Sequence, residues 1–298
     1  MLNKMAISLV PLLMLLFFSI IGCIMGYGIF LLLDGAAQLN RIISRVTQIL
    51  LILSIYPVMR WLSISARDLG FVPLKLFLKQ MSGGIVLGIF TLLPVLLLSY
   101  TLDIIVIDEA AKVWTLKKIA NSLLAAFFLA LLVSLLEEPM FRGILISAYA
   151  KRIGISATIF ISSFYYALLH FVKTKTSIPI QQAEISDSFV LLIEAFQNVL
   201  NPEHLGAFWA LLMVGIFLAV MRTRLQLSLA WCIGCHTAWV CQIKIAHKIT
   251  DVNYGSDLLY LISPYDGVIG PMVAVWLMLV ICAYLQYERV IKRPVQQY

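Results

Sequence analysis

Three ionisable residues, Glu137, Glu138 and Arg142, interrupt the apolar stretch LLVSLLEEPMFRGILISAYAKR. A charge at mid-membrane costs about 2.5 to 3.5 kcal/mol on insertion scales, so charges there are paired or put to use. Glu138 and Arg142 are four residues apart and share a helix face, whereas Glu137 is turned by about 100° and has no such partner. The spacing makes Glu138 and Arg142 a supporting pair and leaves Glu137 as the reactive carboxylate, with a purely structural ion pair as the plainer alternative. Pro139 cannot donate a backbone hydrogen bond, so it frees the Leu135 carbonyl and kinks the helix beside the acids.

Two histidines reach the same layer. Measured from Lys151, Ser156 and Arg224 at ~1.5 Å per residue, Glu137, His170 and His236 lie about 21, 21 and 18 Å from one membrane face. A single membrane histidine is most often a helix-helix hydrogen-bonding residue, but two at the level of two carboxylates point to a site. One carboxylate with a histidine deprotonates water, and a second histidine stabilises a developing oxyanion, which is the chemistry of hydrolysis. Glu137, His170 and His236 are also a plausible zinc set with water in the open position, so residue types leave both mechanisms open. His204 and His247 fall near segment ends and read as surface or interface residues. The string WCIGCH, which ends on His236, matches the C-x-x-C-H pattern of c-type haem attachment. That chemistry needs an accessible segment outside the membrane. Cys232 to His236 lies inside an apolar helix, so the two cysteines read as small packing residues and no haem is expected.

The elements that must position these groups are apolar throughout. Of 298 residues, 62% are hydrophobic and 12% charged, about half the ~25% charge of soluble proteins. The chain reads as one all-α membrane domain over 1–298, a polytopic transmembrane helix bundle of about eight spans. These fall at Met5–Leu33, Val46–Val58, Ser82–Leu102, Ile119–Tyr149, Ser156–Phe171, Ala207–Met221, Leu227–Ile245 and Gly267–Tyr284. The first is too long for a signal-peptide core of about 7 to 15 residues and reads as a retained helix.

Eight spans put both termini on one face. That face collects the larger share of Lys and Arg, including Lys4, Lys292 and Arg293, and of the acids only Asp68 and Glu288. It is therefore expected to be cytoplasmic, at a plasma (inner) membrane. The net charge of +7 suits an anionic leaflet, and nothing resembles a nucleic-acid motif. Five cysteines without a dense, even framework give no disulfide scaffold. Between Lys173 and Gly206, SDSFVLLIEAFQNVLNP offers N-cap candidates at Ser186 and Asp187 and an Asn201-Pro202 stop. A helix lying on the bilayer surface is expected there, ahead of a substrate gate.

These residues resemble a known family. EEPMFRG is similar to an E-E-x-x-x-R motif, YYALLHF to an aromatic-x-x-x-His motif, and GCHTAWV to the third, His-x-x-x motif of the CPBP intramembrane proteases, which include the type II CAAX prenyl endopeptidases and Abi-like proteins. Order and spacing agree over residues 119–248. The resemblance implies a helical-bundle peptidase in which Glu137 and His170 activate water, His236 helps stabilise the oxyanion, and Glu138 and Arg142 organise the acid. No cofactor or metal is needed for that reading.

Two positions depart from the pattern. Tyr166 stands where Phe is common and keeps the ring. Val240 stands where Asn is common and removes a hydrogen-bond donor, a loss typically worth about 2.7 to 4 kcal/mol. The implied partner is a membrane-associated peptide or protein substrate, prenylated in CAAX processing, although nothing in this sequence reads such a lipid. The competing functions are a non-catalytic member acting as a membrane receptor or immunity factor, and a proton-coupled transporter. The absence of symmetry between the chain halves disfavours the transporter.

Overall fold

The computed structural model describes residues 8–111 and 114–291. Its helices are α1 (Val10–Leu32), α2 (Leu39–Leu62), α3 (Leu74–Thr101), α4 (Leu116–Glu138), a π-helix (Pro139–Leu145), α5 (Ile146–Ile153), α6 (Ile155–Leu169), α7 (Ile185–Gln197), α8 (Leu205–Thr223), α9 (Leu229–Ile249) and α10 (Pro271–Ile291). Among the described residues, strand pairing is confined to β1 (Ile105–Ile107) and β2 (Thr250–Val252), an antiparallel ladder joining the ends of α3 and α9. The architecture is an all-α polytopic bundle.

Among the described residues, six helical segments are long and apolar enough to cross a membrane, the stretch from α4 through α5 counting as one. The remaining two expected spans are helices that fall short for different reasons. At 15 residues α6 is short, and α9 carries His236, Gln242, Lys244, His247 and Lys248 in its 21 residues. The chain is thus an integral, multi-pass membrane protein. The expected first-span start at Met5, and Lys4, Lys292 and Arg293, lie outside the described residues. The second span runs well beyond Val46–Val58, because Asn40, Arg41, Ser44 and Arg45 lower the hydropathy of its first turns without breaking the helix.

The expected helix between Lys173 and Gly206 is α7. Its N-cap is Glu184 rather than Ser186 or Asp187, in a capping box with Asp187 at the third helical position. Leu191 and Ala195 face inward while Ile185, Val190 and Ile193 are exposed. The Cys23 thiol of α1 bonds the Ser188 carbonyl at 3.2 Å and helps hold the helix against the bundle.

The main core packs side chains of α6, α8, α9 and α10, among them Tyr166, Leu211, Leu218, Cys235 and Leu277. Helices α3 and α9 pack closely, because Gly84, Gly88 and Gly234 put almost nothing between the two backbones. A Cβ on Gly88 would stand 2.6 Å from the Cys235 carbonyl oxygen. Small residues four apart permit this kind of approach in membrane helices. Indole groups then pin the crossing: Trp239 Nε1 donates to Thr91 Oγ1 at 2.8 Å and Trp276 Nε1 to the Thr91 carbonyl at 2.7 Å.

Candidate active site

The α-helical path of α4 ends at Glu138, and Pro139 opens a π-helical segment through Leu145. The expected kink at Pro139 takes the form of this wider turn. A π-turn bonds i to i+5 and leaves backbone groups needing other partners; Ser162 Oγ of α6 supplies one, donating to the Phe141 carbonyl at 2.8 Å. The irregular backbone thus lies inside protein, where it is tolerated at membrane depth.

The segment brings Glu137, Glu138, Arg142, Tyr166, His170 and His236 together. Glu138 and Arg142 are fully buried, with Nη1 3.3 Å from Oε1. The same Glu138 oxygen lies 2.8 Å from His236 Nδ1. On its other side, His236 Nε2 is 4.0 Å from Glu137 Oε2. Glu138 therefore sits between a guanidinium and an imidazole, and the pair's direct contact is with His236 rather than with Glu137. The Arg142 guanidinium also lies over the Tyr166 ring, 4.3 Å from its centre. His170 Nδ1 bonds the Tyr166 carbonyl at 2.7 Å, and its ring meets the Tyr166 ring edge-on at 4.7 Å. Tyr166 is in this way a common wall for Arg142 and both histidines.

Glu137 differs from Glu138 in access, with its side chain 29% exposed. It opens with His170 onto a cavity of about 430 Å³ whose wall also includes Tyr265. Burial pushes the Tyr265 hydroxyl up to about 12, so it stays neutral there. A second, mostly apolar cavity lined by α1, α2, the π-helix, α5 and α6 shares Leu15, Leu51, Met140, Phe141 and Leu169 with this one and extends to Trp61 and Arg152.

His204 stacks on Phe171 at 4.8 Å and, like His247, stands apart from this cluster. Cys232 and Cys235 are fully buried in α9. Val240 packs against the cluster of Ala126, Ala130 and Cys241, and with Tyr166 and His236 it lines a small apolar pocket. Among the described residues no three His, Cys, Asp or Glu side chains are grouped so as to hold a metal ion. Sequence reasoning missed Thr91 and Gly88, which fix the depth of α9 and hence of His236; the spacing Gly84-x-x-x-Gly88 was the available signal.

Residues 119–241 match the family model described as type II CAAX prenyl endopeptidase Rce1-like. The match supports the CPBP family of intramembrane proteases. No curated protein and no solved structure matches the chain. The CPBP-like segment spans α4 to most of α9 and contains Glu137, Glu138, Arg142, His170, His236 and Val240, whereas α1 to α3 and α10 lie outside it. Over those residues the chain is similar to CAAX-type membrane proteases.

Proposed function

We propose that this chain is an intramembrane endopeptidase of the glutamate type, in a plasma membrane, hydrolysing a peptide bond of a membrane-associated substrate. The observation that carries the reading is the chain of contacts from Arg142 through Glu138 and His236 to Glu137. Glu137, the accessible acid, takes a proton from water positioned with His170 as the water attacks the scissile carbonyl. His236 donates Nδ1–H to Glu138. In its protonated form it offers Nε2–H to the oxyanion, while the Glu138 carboxylate stabilises the imidazolium as carboxylates do in acid-histidine pairs. Glu137 then returns its proton to the leaving amine. No step is assigned to a metal.

Val240 favours a second reading, a non-catalytic member that binds without cleaving, because an apolar side chain stands where a donor is common. One experiment separates the two. Termini of membrane peptides are profiled by mass spectrometry in cells carrying wild type or Glu137→Gln, with membrane insertion checked for both. The peptidase reading expects termini present only with wild type; identical profiles would sink it.

A further inference from the structure

Outside the family-matched segment, α2 contributes a polar ladder to the wall of the catalytic cavity: Asn40, Ser44, Thr47 and Gln48, with Arg45 among them. At ~1.5 Å per residue Arg45 lies about 9 Å below the start of α2, which in a ~30 Å hydrocarbon core is the level reached by Glu137 from the opposite face. Arg45 Nη1 donates to Gln48 Oε1 at 3.0 Å, and no ion pair to Arg45 is present among the described residues. Lys173 lies on the same wall, its ammonium 4.1 Å from the centre of the Tyr265 ring. Glu137 is the one acid among the residues that line this cavity, and Arg45 and Lys173 line it as well, with Asp266 acting on Lys173 from outside the lining. A cation at membrane depth without a carboxylate partner is costly unless it meets an anion in use.

Asn40 supplies an independent sign of a ligand. It is only 8% exposed, its Nδ2 donates to the Thr174 carbonyl at 3.1 Å, and its Oδ1 is buried with no partner. A buried acceptor without a donor is destabilising, and an N–H brought in through the cavity would supply one.

The geometry points to a carboxylate-binding subsite in which Arg45 and Lys173 take a carboxylate of the peptide substrate while Asn40 Oδ1 accepts a main-chain N–H. The inference rests on the peptidase reading and deepens it, adding that the substrate carries a carboxylate close to the scissile bond. The carboxylate is either the peptide's C-terminus or an Asp or Glu side chain.

The test uses full-length Glu137→Gln protein in phosphatidylcholine nanodiscs and three fluorescent hexapeptide pools: free C-terminus without Asp or Glu, amidated without Asp or Glu, and amidated with them. Binding is read by fluorescence polarisation. At least tenfold tighter binding of the first or third pool than of the second is expected, the stronger pool naming the source of the carboxylate. Arg45→Gln should erase the preference and Arg45→Lys should restore part of it. Where Arg45→Gln does not fold, Lys173→Gln, in a loop, should show a weakened preference. Equal binding of all pools overturns the subsite. Cleavage of the pools by wild type is followed in parallel; a binding preference without cleavage would sink the peptidase reading and leave the subsite standing.

Discussion

His236 Nδ1 and Glu138 Oε1 stand 2.8 Å apart across 98 residues of sequence. Because Arg142 approaches the same oxygen, one carboxylate balances a permanent cation and orients a titratable ring. The two adjacent glutamates are thereby divided by environment: Glu138 is sealed in protein, and Glu137 opens to the cavity.

Stability should divide them too. Removing one partner of a buried ion pair leaves an uncompensated charge, at a cost of about 3 to 5 kcal/mol. Glu138→Ala is expected to lower unfolding stability in detergent by about that amount, whereas Glu137→Ala should cost below ~1 kcal/mol. Similar losses from both would show that Glu138 has no special structural burden.

The α3–α9 contact offers a test remote from the ionisable groups. Gly88→Val places a branched side chain against the Cys235 carbonyl, and overpacking of this kind costs about 1 to 3 kcal/mol. Lower thermal stability is expected, with a larger fractional loss of cleavage because His236 rides one residue beyond Cys235. A variant as stable and as active as wild type would contradict the tight crossing.

Asp266, in the loop before α10, is held above the usual carboxylate range chiefly by burial, opposed by hydrogen bonds from the Ile269 and Val268 backbone N–H groups. A raised folded-state value means that the unfolded chain loses this proton first. Asp266 therefore contributes stability below ~3.9, and that contribution falls as pH rises toward the folded value. Asn retains an oxygen for both N–H groups without the charge. Asp266→Asn should match wild type in strong acid and gain relative stability as pH rises, read from unfolding midpoints across pH. An advantage confined to acid would reverse the assignment.

A strong chelator should leave the cleavage rate unchanged if Glu137 and the histidines act alone. Activity that vanishes with 1,10-phenanthroline and returns with zinc would replace the metal-free mechanism with the zinc arrangement of Glu137, His170 and His236.

Much of the architecture is legible in the chain, because a bilayer demands long apolar helices and α1, α3 and α4 supply them. Helix α7 also announces itself through an apolar stripe bounded by Asn201-Pro202, but Glu184 is an uncommon cap and Ser186 draws the eye past it. The i, i+4 spacing of Glu138 and Arg142 carries their proximity, since one helix fixes it. The bond from Glu138 to His236 is not readable, because Gly84-x-x-x-Gly88 marks a face for close packing but names neither the partner helix nor the register at which α9 meets it. Arg45 illustrates the same limit: near a helix start it counts as loop charge, and only the folded bundle turns it toward a cavity. The β1–β2 pairing is likewise a tertiary event, with three residues on each side.

The segment Pro139–Leu145 carries a final consequence. A turn that closes on the fifth residue holds one residue more than the helix on either side, so it acts as a phase shift between α4 and α5. Rewinding the segment as regular α-helix at the same length would swing everything beyond by about 100° relative to the glutamates, whereas losing one residue along with the wide turn would leave α5 near its present phase. The chain length between Glu138 and α5 is therefore matched to the wide turn, and the hydrogen-bonding pattern of this segment is as much a constraint on the molecule as the identity of the residues within it.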